Sequence, residues 1–202
     1  MAAANTSGDV SMPDAAAIAE KELINDFLER FRVAHKTGAG NDGIEYNTKT
    51  FETAVTEMRQ GVRNNLWHYH ILPSMKVTEA PHNPDAFYFE NFDQIRAYIL
   101  DPTLGFRLGY LFTVILEQTP AGVSAQDLMA TEDAVTQFHS CVTLIHTVMG
   151  LTDVEPHDYV KQIPGHILKK FFGGLEKVHW YTVETLEKWT EAGESGSAAN
   201  QT

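Results

Sequence analysis

The chain has 202 residues, of which 43% are hydrophobic and 21% charged, and its formal net charge is −12. This length and balance fit one globular domain with a sizeable core. Acidic residues outnumber basic ones 27 to 15. Nucleic acid and anionic membrane surfaces both bind through clustered lysine and arginine, so neither is expected as a partner. The single cysteine, Cys141, leaves no cysteine pair for an intrachain disulfide or a zinc site.

Both ends of the sequence are predicted to lie outside the folded domain. Residues 1–11 are small and polar without periodicity, which predicts a disordered arm. The N-terminus lacks the basic leader and apolar run of a secretory signal peptide, so a cytoplasmic location is expected. Residues 193–202 (GESGSAANQT) are predicted to form a disordered, low-complexity tail. Residues 12–192 are predicted to form one all-α domain, a single bundle of five to six helices.

Two helices are predicted before Pro73. The first ends at the glycine-rich turn GAGNDG, and the second begins near residue 48. Gly61 interrupts the second helix at a cost of about 1 kcal/mol relative to alanine, which a close helix crossing could offset. His68 and His70 at its end are two residues apart and cannot share a helix face. They are expected to pack at the margin of the core and not to chelate a metal.

A connection without helical periodicity follows, from residue 72 to 90. Long ordered connections tend to be functional loops. Its last residues, DAFYFEN, bring three aromatic side chains close together. They could form a short strand or an apolar plug over the core, and the plug is preferred. A short helix capped by Asn91 is predicted next.

The most apolar helix is predicted after Asp101 and Pro102, which suit an N-cap and the first helical position. Its sequence, TLGFRLGYLFTVILEQ, is apolar almost all round, as is typical of a helix at the centre of a bundle. A bilayer needs about 20 apolar residues, so a membrane span is not expected. Gly105 and Gly109 are spaced to let a neighbouring backbone approach closely. Glu117 is expected to contact water, with an inward-facing ligand as the alternative.

The longest predicted helix spans residues 124–149 and is expected to be central to the fold. Ser124 and Asp127 form a capping box at its start, and Gly150 supplies its stop. Apolar residues recur at helical spacing on one face. Five polar residues are predicted to face away from that stripe: Thr136, Gln137, Ser140, Thr143 and Thr147.

The last predicted helix runs from about residue 166 to 192, after a short helical turn over residues 156–163. Gly173 and Gly174 weaken its middle and could mark a kink or a helix break. Within it Glu176 and His179 form an ExxH pair, a spacing that places a carboxylate and an imidazole on one helix face. Helical carboxylate metal sites use this spacing twice, whereas here it occurs once.

The candidate metal ligands are five residues on the two long predicted helices. In the 124–149 helix one row repeats every seventh residue along the edge of the apolar stripe, and its simpler interpretation is the polar margin of a packed helix. Together with the ExxH pair, this row supplies the predicted metal set, with Glu117 and Glu57 as outside candidates. The five residues are Glu132, His139, His146, Glu176 and His179.

Three functional interpretations follow. The sequence contains no nucleotide-binding loop, nucleophile elbow, HExxH motif or EF-hand loop. The preferred interpretation is therefore a non-catalytic helical binding or self-assembly protein, with a second copy of the chain or another protein as its partner. The alternative is a metal- or haem-dependent oxidoreductase whose site lies between the 124–149 and 166–192 helices.

The sequence does not select a cofactor for the oxidoreductase. A haem would be held by His139 or His146 beneath three aromatic residues, Phe138, Phe112 and Tyr110. The third interpretation is a small-molecule binder or cofactor-free enzyme. Its pocket would lie among four aromatic residues, Trp67, Tyr110, Trp180 and Tyr181.

Overall fold

The computed structural model describes residues 15–38, 49–75, 87–151 and 158–199. These residues form nine helices and one pair of two-residue strands, which confirms the all-α prediction. They contain more helices than the five to six predicted, because three of the predicted helices are each split in two. In chain order the elements are α1 (Ala15–Thr37), α2 (Phe51–Gln60), α3 (His68–Ile71), β1 (Ser74–Met75), β2 (Tyr88–Phe89), α4 (Phe92–Leu100), α5 (Leu104–Gln118), α6 (Ala125–Met129), α7 (Glu132–Leu151), α8 (Asp158–Phe171) and α9 (Trp180–Ala199).

Residues with positive φ mark three breaks, of which two were not predicted. Gly61 ends α2 at φ 83°, and no other part of the chain lies within 4 Å of a Cβ built on it, so no close helix crossing offsets its cost. Ala130 has φ 66° and separates α6 from α7, so the single helix predicted over 124–149 is also wrong. Gly173 and Gly174, at φ 88° and 147°, separate α8 from α9. The left-handed region interrupts helical hydrogen bonding at each break.

Other boundaries also differ from the predictions. The capping box at Ser124 is confirmed, but α7 continues through Gly150 to Leu151. The α8 helix passes through Pro164, so no break separates residues 158–163 from the helix predicted after them. The α9 helix extends to Ala199, past the predicted boundary at residue 192. The predicted arm, residues 1–11, lies outside the described residues.

The α5 helix lies at the centre of the fold, as its composition predicts. It packs against α2, α4 and α8, and Leu104, Leu111 and Phe112 are completely buried. The free carbonyls at its C-terminus accept hydrogen bonds from the Lys170 ammonium of α8, at 3.0 Å to Leu116 O and 2.5 Å to Thr119 O. The Lys170 side chain thus caps the C-terminus of α5.

A sharp elbow joins α4 to α5. The Asp101 carboxylate accepts hydrogen bonds from the backbone N–H groups of Thr103 (3.0 Å) and Leu104 (2.8 Å), and from the Arg32 guanidinium of α1 (2.6 Å). A Cβ on Gly105 would collide with the Ile99 carbonyl, so the close approach predicted for this glycine is confirmed. In the described ranges no single helix is long and apolar enough to cross a bilayer, although α4 and α5 reach that length and composition together across a 76° bend.

The segment 87–89 joins the core as both a strand and an apolar plug. Tyr88 and Phe89 pair in parallel with Ser74 and Met75. The Phe31 ring of α1 packs against three neighbouring rings, with centroid distances of 5.3 Å to Phe87, 6.0 Å to Phe89 and 5.1 Å to Tyr98. This aromatic cluster fixes α1 against α4.

The polar residues of α7 do not all face solvent as predicted. Gln137, Ser140 and Thr143 are buried, because α7 packs against α3, α8, α9 and β1. Each makes a hydrogen bond at a contact between elements. Gln137 donates to Leu72 O at 2.7 Å, and Ser140 Oγ lies 2.9 Å from Thr182 Oγ1 of α9.

Candidate functional site

The predicted ExxH pair does not lie on one helix. Glu176 and His179 are in the connection between α8 and α9, whose helices end at Phe171 and begin at Trp180. Glu176 is exposed, and so is Glu132, the first residue of α7. The shared helix face predicted for the pair is therefore wrong.

Two of the five predicted ligands do meet. The ring centroids of His139 and His179 are 5.5 Å apart and the planes are nearly perpendicular. The His139 ring stacks on Phe172 at 4.0 Å, and its Nε2–H donates to Lys177 O at 2.7 Å. The backbone N–H of His179 donates to Thr143 Oγ1 at 3.0 Å. Burial lowers the pKa of both imidazoles.

The remaining predicted ligands do not complete a metal site. His146 is half-buried near Gly165 of α8, and Glu117 is exposed. In the parts of the chain that the structure describes, no three His, Cys, Asp or Glu side chains are grouped so that they could hold a metal ion. Metal binding by Glu132, His139, His146, Glu176 and His179 stays a prediction.

The aromatic residues named for a haem or a small molecule lie in different surroundings. Phe138 and Phe112 pack on each other within the core, with centroids 6.5 Å apart. The Tyr110 hydroxyl accepts a hydrogen bond from Arg59 at 2.6 Å. Trp67 is completely buried, whereas Trp180 is 71% exposed. One enclosed pocket formed by Trp67 and Trp180 does not fit these exposures.

A buried carboxylate that was only an outside candidate organises the loop after α2. Glu57 accepts hydrogen bonds through Oε2 from the Asn64 N–H (2.8 Å), the Asn65 N–H (3.3 Å) and the Trp67 indole (2.6 Å), and through Oε1 from the Asn65 side-chain amide. Burial opposes ionisation of Glu57, but these donors outweigh it and lower its pKa. With four hydrogen bonds from three residues of the loop, Glu57 holds the loop in place.

A buried arginine connects the same loop to the break between α6 and α7. Arg63 donates from Nε to Met129 O (2.7 Å), and from its two terminal nitrogens to Asn65 O (2.6 Å) and Thr131 Oγ1 (2.9 Å). A terminal nitrogen also lies 3.3 Å from His68 Nδ1. Because a guanidinium can only donate, His68 accepts at Nδ1 and carries its proton on Nε2.

The Nε2–H of His68 faces Asp133, the exposed residue at the end of this network. His68 Nε2 lies 3.3 Å from Asp133 Oδ2, and the Tyr69 hydroxyl donates to the same oxygen at 2.7 Å. The donors lower the pKa of Asp133, with His68 the largest cause. Burial lowers the pKa of His68 and, with Asp133, raises that of Tyr69. These shifts favour a neutral imidazole, a neutral phenol and an ionised carboxylate. The network therefore acts as a structural clamp between α3 and α7.

A separate groove combines apolar and acidic side chains. It has a volume of about 370 Å³ and lies between α1 and the start of α4. Leu23, Ile24 and Phe27 of α1 contribute its apolar wall, and Leu23 is 71% exposed. The Arg30 guanidinium lies over the Phe27 ring at 5.4 Å. The carboxylates in its lining belong to Glu20, Glu90 and Asp93.

This groove was not predicted from the sequence. One signal was available, since the apolar Leu23 lies among the charged residues Glu20, Lys21, Glu22 and Asp26. The acidic residues supplied by α4 and its leading turn come from a distant part of the sequence. Their position next to α1 follows only from the packed fold.

The fold defines an all-α protein of the type seen in one solved structure. The chain is similar to the conserved hypothetical protein Rv1873 from Mycobacterium tuberculosis, whose crystal structure was determined at 1.38 Å, with a TM-score of 0.54 and 17% sequence identity. The similarity covers 75% of this chain and 88% of that one, and at this identity it shows the fold alone.

The family is given by the sequence itself. Residues 41–186 match the family described as protein of unknown function (DUF1810), and the chain belongs to that family. The α1 side of the groove precedes the matched residues, and the α4 side lies within them. A search of curated proteins found no match to the chain.

Proposed function

We propose that the protein is a non-catalytic helical binding protein, and that its α1–α4 groove receives a basic, apolar segment of a protein partner. The observation that carries the proposal is the 71% exposure of Leu23 on the wall of an acidic groove. Single exposed leucines are common on protein surfaces. This one differs because Ile24 and Phe27 continue its apolar surface into a concavity.

The apolar wall supplies the affinity in this proposal. Burial of an exposed leucine side chain contributes about 1–2 kcal/mol. Phe27 is already packed against the core and gives the partner a fixed surface to contact. Preformed contacts of this kind limit the entropy that is lost on binding.

The charges around the wall supply the selectivity. Glu20, Glu90 and Asp93 outnumber the single Arg30 in the groove lining, and Arg30 is held over Phe27. The net charge of −12 adds a long-range field of the same sign. A segment that carries lysine or arginine beside aliphatic residues matches both properties, and acidic segments are repelled.

Fluorescence anisotropy with a labelled amphipathic lysine–leucine peptide tests the proposal. We expect saturable binding that weakens as salt is added, and no binding of the matched glutamate–leucine peptide. Leu23→Arg should reduce the affinity at least about tenfold, which corresponds to about 1.4 kcal/mol. Leu100→Arg is the matched control, because Leu100 is also exposed, at 51%, but lies outside the groove lining. Equal losses in the two variants would contradict the proposal.

A metal- or haem-dependent oxidoreductase is the second candidate, and one observation favours it. The ring centroids of His139 in α7 and His179 in the connection before α9 are 5.5 Å apart. Imidazole is a suitable ligand for zinc, copper and iron. Metal analysis and an absorption spectrum on protein purified without chelator test this candidate. It requires a stoichiometric metal or a Soret band that His139→Ala or His179→Ala removes. Background metal in all three proteins would eliminate it.

A further inference from the structure

We infer that the groove of one molecule receives the basic face of α8 and the adjoining Leu175 from a second copy of this chain, so that the protein assembles head to tail. This inference rests on the proposed function, because it names the basic, apolar partner that the groove would hold. It follows from a second surface of the molecule that is complementary to the groove.

The solvent side of α8 is basic. Lys161, His166 and Lys169 are exposed along it, and residues 161–171 (KQIPGHILKKF) contain no acidic residue. Lys170 belongs to the fold, since its ammonium bonds the end of α5. In a chain of net charge −12, this helix is a local concentration of positive charge.

An apolar surface adjoins the basic one at the connection to α9. Leu175 is 41% and Trp180 71% exposed. The Leu175 side chain packs on α8, since one of its methyl carbons would lie 3.3 Å from a Cβ on Gly165. Trp180 packs edge-on against Tyr181 at 5.7 Å between centroids. Glu176 is a carboxylate exposed within this surface, next to the exposed Lys177.

The two surfaces match in charge and in polarity. One presents carboxylates beside Leu23, and the other presents ammonium groups beside Leu175, which packs on α8 at Gly165, one helical turn from both Lys161 and Lys169. In a head-to-tail contact each molecule uses its groove on one neighbour and its basic face on another, so the two end molecules keep one unused surface each. Association is therefore expected to continue past a dimer.

Sedimentation equilibrium over a wide concentration range tests this arrangement. The wild-type mass should rise with concentration above the 22.6 kDa of one chain and pass that of a dimer. Leu23→Arg should prevent binding at the groove, and the double variant Lys161→Glu/Lys169→Glu should prevent binding through the basic face. Each variant alone should lose at least about tenfold in association constant, so that it stays monomeric at concentrations where the wild type begins to associate. Leu100→Arg should associate like wild type.

Mixing the two interface variants gives the sharpest result. The Leu23→Arg chain keeps its basic face, and the Lys161→Glu/Lys169→Glu chain keeps its groove, so one complementary pair remains. The mixture should form dimers and no larger species. Wild-type association that stops at the mass of a dimer would show a symmetric pair instead of a head-to-tail chain, and a mixture that stays monomeric would show that the two surfaces do not bind each other. Either result would overturn the inference.

The two proposals fail in different ways. A wild-type protein that stays at one chain's mass but still binds the lysine–leucine peptide would overturn self-assembly and leave the groove as a binding site. A wild-type protein that neither binds the peptide nor associates with itself would overturn both proposals. Self-association that neither interface variant weakens would place the contact elsewhere and reject these two surfaces.

Discussion

Acidification should destabilise this protein well above the pH at which its carboxylates titrate, because two histidines are buried without charge. His35 of α1 is completely inaccessible, and its Nε2–H donates to His70 O at 2.9 Å. His35 Nδ1 has no hydrogen-bond partner among the described residues. His70 in turn donates from Nε2 to Lys49 O at 3.1 Å. A second proton on the His35 ring would be buried with no acceptor facing it.

The pKa shifts give the size of the effect. Burial lowers the pKa of His35 from 6.5 to about 3 and that of His70 to about 4. Repulsion from His70 and Arg107 adds to the lowering at His35, and Asp101 opposes it. Each ring stays neutral in the folded state and gains a proton in the unfolded state below about pH 6.5. Stability is therefore complete above the unfolded pKa and falls as the pH drops towards the folded pKa.

Each histidine should cost about 1.4 kcal/mol for every pH unit below about 6.5. The pair should thus lower the free energy of unfolding by about 4 kcal/mol between about pH 7.5 and 5.0. Urea denaturation followed by circular dichroism at several pH values measures this loss. His35→Gln keeps a donor for His70 O but does not titrate, so it should remove the share of the loss that belongs to His35, about 2 kcal/mol. The exposed His166→Gln is the control. The reasoning fails if His35→Gln and wild type lose stability in parallel.

Three further predictions concern other buried positions. Gly105→Ala should lower the free energy of unfolding by about 2–4 kcal/mol, because the new Cβ would collide with a backbone carbonyl of α4. Gly150→Ala is the control and should be neutral or slightly stabilising, because its Cβ would meet no other atom. Equal effects of the two variants in denaturant titrations would contradict this. Glu57→Gln should cost about 2–3 kcal/mol by presenting an amide to hydrogen-bond donors, while the exposed Glu52→Gln stays within about 0.5 kcal/mol. Cys141 is inaccessible and burial raises its pKa, so a thiol reagent should label it only after unfolding, and rapid labelling of the native protein would refute that burial.

Local signals in the sequence predicted individual helices well. The continuous apolar character of TLGFRLGYLFTVILEQ identified the central helix, and the Ser124 capping box appears as expected. Asn91 caps α4 by accepting from the Gln94 N–H at 2.9 Å, also as expected. These features depend on residues within a few positions of one another, so the sequence is sufficient to predict them.

Features that depend on tertiary contacts escaped prediction. Ala130 breaks a helix from the left-handed region, although alanine is the best helix former. The break is held in place by Arg63, from 66 positions earlier in the chain, which bonds Met129 O. No helical periodicity could reveal that contact. The ExxH spacing failed for the same reason, since it has meaning only if Gly173 and Gly174 continue a helix.

The basic face of α8 and the α1–α4 groove also depend partly on local sequence and partly on tertiary contacts. The basic character of residues 161–171 is visible in the sequence, but which lysines are exposed depends on the packing of α8 against α5 and α7. The acidic groove needs α1 beside residues 90–94, and only the folded chain brings these together. The sequence therefore predicted the all-α fold without predicting where these two surfaces would lie.

The elbow between α4 and α5 limits how related chains can vary in length. Inserting one residue between Asp101 and Gly105 would turn α5 about 100° around its axis relative to α4. The buried Leu108 would then rotate away from its neighbours, and the aspartate would no longer face the first amides of the helix. Pro102 and Thr103 are exposed and can change identity. Insertions and deletions should thus be rare at this junction even where its residues diverge.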